Sequence, residues 1–351
     1  MKKLLLVIAM TQLMVSCSDD TSETKKEEET NSGKYYVVGS KYDRNSENNY
    51  SWLAAIWVDG VPTVLSNEGL SEANAVAIYN NDIYVAGTQS LSNGNDVLKL
   101  WKNNAAESLT DGKYRVEARD LAVSEGNVYI AGNEYKGSLN TSIATVWKNG
   151  QAIHLSDEIS EVNAICLYNN DVYAAGYKEI DGKKTAIIWK IGKEETILYS
   201  GDDDFESIAT DIYVDDKGVF ASGNIRNSTK STAMLWKNTI GTALSDVENY
   251  SQANALFVNG SDVYVCGTDI NTRVYTFIGK VWKNGNLIKE ISGYNSLNIN
   301  IADNKIYIAS FGLDGNDINS EHKVFESGLD NLNFTEKYKF TNDKINAVLV
   351  K

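Results

Sequence analysis

Apolar positions in this chain fall in short, nearly continuous runs separated by polar turns, and the runs recur. The clearest copy is Ala73 to Gly87, ANAVAIYNNDIYVAG, followed after a polar gap by LKLWKNN at Leu98 to Asn104. Each run is too short for a helix and rich in β-branched and aromatic residues, so it predicts a strand. In this copy four strands are expected, called a to d here: Asn74–Tyr79, Asp82–Thr88, Val97–Lys102 and a short one around Glu107–Thr110. The a–b connection is a pair of residues that tolerate left-handed backbone, Asn80-Asn81, and later Asn169-Asn170, Asn259-Gly260 and Asp303-Asn304. Such pairs build two-residue hairpins. The c–d connection uses Asn149-Gly150 and Asn284-Gly285 in the same way.

Three columns return at a fixed period. Strand b ends at Gly39, Gly87, Gly132, Gly176, Gly223, Gly267 and, with serine substituted, Ser310, at spacings of 48, 45, 44, 47, 44 and 43 residues. Strand c closes on Trp57, Trp101, Trp147, Trp189, Trp236, Trp282 and Phe325, and Trp52 is the one tryptophan outside that column. Strand a carries Val76, Leu121, Ile165, Ile212, Leu256, Ile299 and Val348. A repeat of about 45 residues with four strands matches the blade of a β-propeller. Continuous apolar strands require cover on both faces, and radially stacked sheets supply it. Small residues in strand a (Ala75, Ala164, Ala255, Ala347) suit the crowded axis, and tryptophan in strand c fills the wider space farther out.

Lys34–Ser40 reads as a strand b with no strand a before it, and Asn346–Val350 as a strand a with no b after it. Pairing the two would remove an open edge. The expected fold is therefore all-β: a seven-bladed propeller of four-stranded blades over residues 34–351, closed by the C-terminal strand on the N-terminal blade. The blade phrases YVAG and WKNG resemble those of bacterial β-propeller repeat lipoproteins. That resemblance implies a fold and leaves the ligand open, because propellers host many functions.

Residues 1–16 combine Lys2 and Lys3 with an apolar run too short to span a bilayer, the marks of a secretory signal. Leu13-Met14-Val15-Ser16-Cys17 resembles a lipobox, which implies cleavage there and lipid on Cys17. Ser18-Asp19-Asp20 is similar to the signal that sends Bacteroidetes lipoproteins to the outer face of the outer membrane. Residues 17–33 form the expected lipidated, disordered tether; Ser18 to Gly33 has no apolar residue to offset the entropy of ordering. Fully extended it reaches about 50 Å.

The formal charge is −14, and loss of Lys2 and Lys3 with the signal would take it to −16. An acidic body argues against nucleic acid, and membrane association is expected only through the lipid anchor. Of three cysteines, Cys166 and Cys266 sit in columns of small apolar residues and are expected as buried hydrophobes without a disulfide. His154 and His322 have no metal-ligand pattern around them and are expected as exposed or half-buried strand residues. No cofactor is expected. Acidic stretches in the d–a links, Asp157-Glu158 with Glu161, Asp202-Asp203-Asp204 with Glu206, and Asp246 with Glu248, lack calcium-loop spacing, as does Asp314-Gly315-Asn316-Asp317.

The mouth of strand a carries the most suggestive column: Asn74, Arg119, Asn163, Thr210, Asn254, Leu297 and Asn346, with Asp120, Asp211 and Asn298 standing next to it where other copies have alanine. Two readings stand side by side. In one, asparagine caps the tight link into strand a through its own side chain. In the other, the residues form a polar ring that binds a small ligand, and the expected function is a surface-anchored binding or scaffold module that recognises a protein or glycan through the channel mouth and a loop rim carrying Tyr42, Tyr50, Tyr135, Tyr177, Tyr250 and Tyr294. A carbohydrate-active enzyme using Asp120 and Asp211 as paired carboxylates is the alternative. No catalytic motif is present.

Overall fold

In the computed structural model of the protein, the described residues are 33–44, 50–67, 69–137, 141–199, 204–245, 250–271, 276–313 and 320–351. The expected signal peptide, Cys17, nearly all of the tether, Asp202, Asp203, Asp246, Glu248 and Asp314–Asp317 lie outside them. Every described element is a β-strand, joined to the next mainly by antiparallel pairing. In the copy that defined the repeat, the strands are Ser71–Tyr79, Asp82–Ser90, Asp96–Lys102 and Ala105–Ser108. Asn80 and Asn81 between the first two have φ of 50° and 66°, the left-handed backbone their side chains tolerate.

Propeller architecture with four-stranded blades is what these strands form. The expected count of seven separate blades is corrected: hydrogen bonding gives five sheets of four strands and one sheet of eight. The eight-stranded sheet exists because Ser231, in a strand c, pairs in parallel with Tyr250 at the head of the following strand a. That bridge fuses the strands running from Glu206 to Ala243 with those from Tyr250 to Ser292.

The C-terminal strand Lys344–Val350 pairs antiparallel with Tyr35–Arg44, from Tyr35 opposite Val350 to Ser40 opposite Lys344. Reciprocal bonds between Lys34 and Lys351 extend the ladder, at 2.8 and 3.1 Å. Ile345, Val348 and Val350 are thereby buried with Tyr35, Val37 and Trp57.

Core layers lie between sheets. Trp147 packs with Leu98, Leu100 and Ala86 of the preceding sheet, and Trp282 with Leu235 and Ala233 of the other half of the eight-stranded sheet. Trp101, Trp147, Trp236 and Trp282 are each 1% exposed. The residues that follow tryptophan in the repeat have their own tasks. Lys102 sits 5.1 Å from the Tyr84 ring and 2.8 Å from Asp82, and Lys283 repeats both contacts with Tyr264 and Asp262. Asn103, Asn149, Asn238 and Asn284 accept the N–H at the start of strand b through Oδ1. The WKN phrase is thus a fastening between strands b and c.

Every strand a carries a β-bulge. The register slips by one residue at Asn74, Arg119, Asn163, Thr210, Asn254, Leu297 and Asn346, each skipped in the pairing with strand b. Beside the bulge stands the glycine that ends YVAG. A Cβ on Gly87 would overlap the Glu72 carbonyl oxygen, and Gly39, Gly132 and Gly176 face equivalent carbonyls. The glycine column is therefore a steric requirement of the bulge column.

Candidate functional site at the channel mouth

A bulge turns its side chain away from the regular alternation of a strand, and the effect here is collective. All nine residues expected at a ligand site, Asn74, Arg119, Asp120, Asn163, Thr210, Asp211, Asn254, Asn298 and Asn346, line one cavity of about 310 Å³ inside the ring of a strands. Their hydrogen bonds run from each strand a to the next. Asn163 Nδ2 donates to the Ala209 carbonyl at 2.8 Å, Thr210 Oγ1 to Ala253 at 2.7 Å, Asn254 Nδ2 to Ser296 at 2.7 Å and Asn346 Nδ2 to Ala73 at 2.9 Å. These asparagines stitch neighbouring strands together instead of capping their own loops. Asn74 departs from the pattern: its Oδ1 is buried without a partner. Arg119 is the exposed member and pairs with Glu117 at 2.8 Å.

The adjoining column stitches in the opposite sense. Asp120 Oδ2 accepts the Ile165 N–H at 2.8 Å, Asp211 Oδ2 the Leu256 N–H at 2.8 Å, and Asn298 Oδ1 the Val348 N–H at 3.2 Å. The remaining oxygens of Asp120 and Asp211 take the N–H of Leu121 and Ile212. Burial against the channel wall pushes the Asp120 carboxyl up to about 6, opposed by its two backbone donors. Asp211 rises to about 7, again chiefly by burial, with a further contribution from the charge of Asp120. Both carboxylates have every oxygen engaged by backbone, an arrangement that serves the fold; it adds nothing to an acid–base reading.

Above the channel, a cleft of about 640 Å³ opens among the sheets that carry Ser40, Ser71 and Arg115. Trp52 (38% exposed) and Leu70 (50%) stand at it, and Tyr42 meets the Trp52 ring edge-on at 5.3 Å. Its charged wall is Glu72, Asp96, Arg115, Glu117, Arg119 and Lys344. Of these only Arg119 belongs to the polar column read from the sequence. The sequence did offer one signal for this cleft: Trp52 is the tryptophan that falls outside the strand c column.

A shallower dish of about 360 Å³ shares Arg119, Asn163, Thr210 and Asn254 and adds Glu161, Tyr177 and Lys184. Tyr177, expected at the rim, is only 4% exposed; burial and the adjacent Glu161 raise its hydroxyl pKa, and Lys184 covers its ring at 4.2 Å. Tyr135 is half-buried under Arg115, its hydroxyl pushed up to about 12 by burial and by Glu117 and Glu161. Tyr42, Tyr250 and Tyr294 are half-buried, and the side chain of Tyr50 lies outside the described residues.

His154 is exposed beside Glu134 at 2.8 Å. His322, expected exposed or half-buried, is 5% exposed, and Nδ1 accepts the Ile345 N–H at 3.3 Å. Burial, with nearby Lys344, lowers its pKa to about 4. Both described cysteines are free; Cys266 is buried and Cys166 half-buried. Among the described residues no group of three or more His, Cys, Asp or Glu could hold a metal ion.

No known family profile matches the chain, and no curated protein matches it in sequence. Solved structures do. The β-propeller domain of the Trilobed protease from Pyrococcus furiosus, described as having an open velcro topology, aligns at a TM-score of 0.56 and 11% identity, over 88% of this chain and 93% of that one. The acylaminoacyl peptidase of Pyrococcus horikoshii aligns at 0.50 and 12% identity, over 90% of this chain and 51% of its own. A second acylaminoacyl peptidase structure, in complex with Z-Gly-Gly-Phe-chloromethyl ketone, aligns at 0.50 and 11% identity with the same coverage. This chain thus spans about half the length of those peptidases. The class is settled by these likenesses: the fold is a β-propeller, similar to the propeller domains of peptidases. At such identities the likeness reaches the fold and stops there.

Proposed function

We propose that the protein is a binding module that recognises a protein or a glycan through its channel mouth and loop rim. It is held at the outer face of the outer membrane by lipid on Cys17. The observation that carries the reading is the 640 Å³ cleft, with an exposed tryptophan at its edge and a wall of convergent polar side chains. A volume of this size is typical of small-molecule sites, which are concave and orient a ligand with a few placed polar groups. The stitched ring beneath it supplies rigidity: bonds between successive a strands hold the mouth in shape before a ligand arrives, which lowers the cost of binding.

The reading is tested by displaying the purified chain to a glycan array and, as bait, to envelope extracts. Wild type is compared with Trp52→Ala and Arg119→Ala. Specific capture lost in either variant supports the reading, and empty arrays together with empty pull-downs would end it. Anchorage is checked separately. Cys17→Ser should move the chain from the membrane fraction to the soluble one, and continued membrane association would contradict the lipid assignment.

A further inference from the structure

Among the described residues that line the cleft, every charge is answered from within the cleft. Glu72 pairs with Lys344, Arg115 with Asp96 at 3.5 Å and with Glu117 at 2.6 Å, and Arg119 with Glu117 at 2.8 Å. Among these lining residues three carboxylates therefore stand against three cations, so the described wall offers a ligand no net charge to neutralise. We infer that the cleft binds an uncharged, hydroxyl-rich ligand, a neutral oligosaccharide laid against Trp52; this rests on the mouth-recognition reading above.

The argument is one of elimination by physical cost. An anionic or cationic ligand would have to compete with an existing pair, and it gains no net attraction from a wall whose charges cancel. A hydroxyl suits the wall because it both donates and accepts. Paired carboxylates keep unused lone pairs, and paired guanidinium groups keep unused N–H donors. The apolar part of the cleft is confined to Trp52, Leu70 and Ala118. That is too little for the hydrophobic centre of a protein interface. It is also short of the side-chain pockets that read an extended peptide. It is enough for a sugar ring, whose C–H face lies on one aromatic while its hydroxyls point at the polar wall. The edge-on contact of Tyr42 fixes the Trp52 ring as a platform.

Titration calorimetry of the purified chain with hexasaccharides of glucose, xylose and mannose, and with hexagalacturonate, decides the matter. At least one neutral hexasaccharide should bind, and Trp52→Ala should weaken it by about tenfold. Glu72→Gln leaves Lys344 without its carboxylate and keeps an acceptor for the Asn346 amide, so it should gain affinity for hexagalacturonate. Circular dichroism confirms that both variants fold. Tighter binding of hexagalacturonate than of every neutral sugar by the wild type would overturn the inference and leave mouth recognition standing. So would a defined protein ligand whose capture needs Arg119 and no sugar. Absence of any ligand would overturn both.

Discussion

Asp211 Oδ2 accepts the backbone N–H of Leu256 at 2.8 Å, joining the two halves of the eight-stranded sheet at the channel just as Ser231 and Tyr250 join them farther along. The bond is one of three of its kind around the axis, with Asp120 to Ile165 and Asn298 to Val348. Two of the three use a group that ionises, and this has a consequence for stability.

Asp120 and Asp211 have folded-state pKa values of about 6 and about 7, raised from 3.8 mainly by burial. A raised pKa means that the folded chain holds these protons more tightly than the unfolded one. Their stabilising contribution is complete below about pH 4 and is lost as pH rises through 6 to 7. Asp211→Asn should remove part of that slope, because Asn298 shows that an amide oxygen can make the same cross-strand bond. Its amide nitrogen also faces the Ile212 N–H that Asp211 Oδ1 accepts, a cost present at both pH values, so relative to wild type the variant should stand about 1–3 kcal/mol better at pH 8 than at pH 4. Urea unfolding at the two pH values measures both, and an equal change at each would contradict the assignment.

Gly87→Ala tests the bulge. The new methyl would overlap the Glu72 carbonyl oxygen, which belongs to a paired strand and cannot rotate aside. A loss of about 2–4 kcal/mol is expected, in the range for overpacking combined with backbone displacement. A control at an open glycine, Gly126 or Gly182, is complicated by positive φ, so the comparison is better made with Ala86→Gly in the same strand. That variant should cost about 1 kcal/mol.

How much of this could be read from the chain itself follows from which features leave a mark on composition. The tryptophan column did, because filling the space between sheets demands a large side chain, and Trp101 and Trp282 are indeed 1% exposed. The Asn80-Asn81 turn did, because few residues accept a φ of 66°. The bulges did not announce themselves as such. One skipped residue changes pairing without changing residue type, so the bonds by which Asn163, Thr210, Asn254 and Asn346 reach the next strand left no mark in the sequence. The Ser231–Tyr250 bridge was equally silent, being a single backbone pair. The cleft charges stayed invisible because Glu72 and Lys344 meet across 272 residues of sequence.

The Trp282 side chain is buried among Leu235, Leu256 and Val265, at the junction of the two halves of the fused sheet. Trp282→Ala should cost about 3–5 kcal/mol through lost burial and the cavity left behind. The number of transitions in the variant reports whether the fused sheet behaves as one cooperative body. If it does, unfolding stays a single transition at lower denaturant; two separated transitions would show that the halves unfold independently.

Removal of Lys344–Lys351 is the most demanding test of the architecture. Ile345, Val348 and Val350 are buried at 0%, 4% and 5% exposure, and their loss alone withdraws roughly 5–9 kcal/mol of apolar burial. That is comparable with the whole stability of an ordinary domain. The deletion also uncovers Val37 and Tyr35, leaves the Tyr35–Arg44 strand with an unpaired edge, and removes the acceptor bond of Asn298 to Val348. The shortened chain should therefore lose cooperative unfolding or aggregate. Adding a synthetic peptide of residues 344–351 should restore part of the lost melting temperature, since the groove it vacates is lined by the rest of the fold. A shortened chain that melts like the intact one would mean that the terminal strand is an ornament on a body that stands without it. The ring would then have to be closed by contacts between other strands.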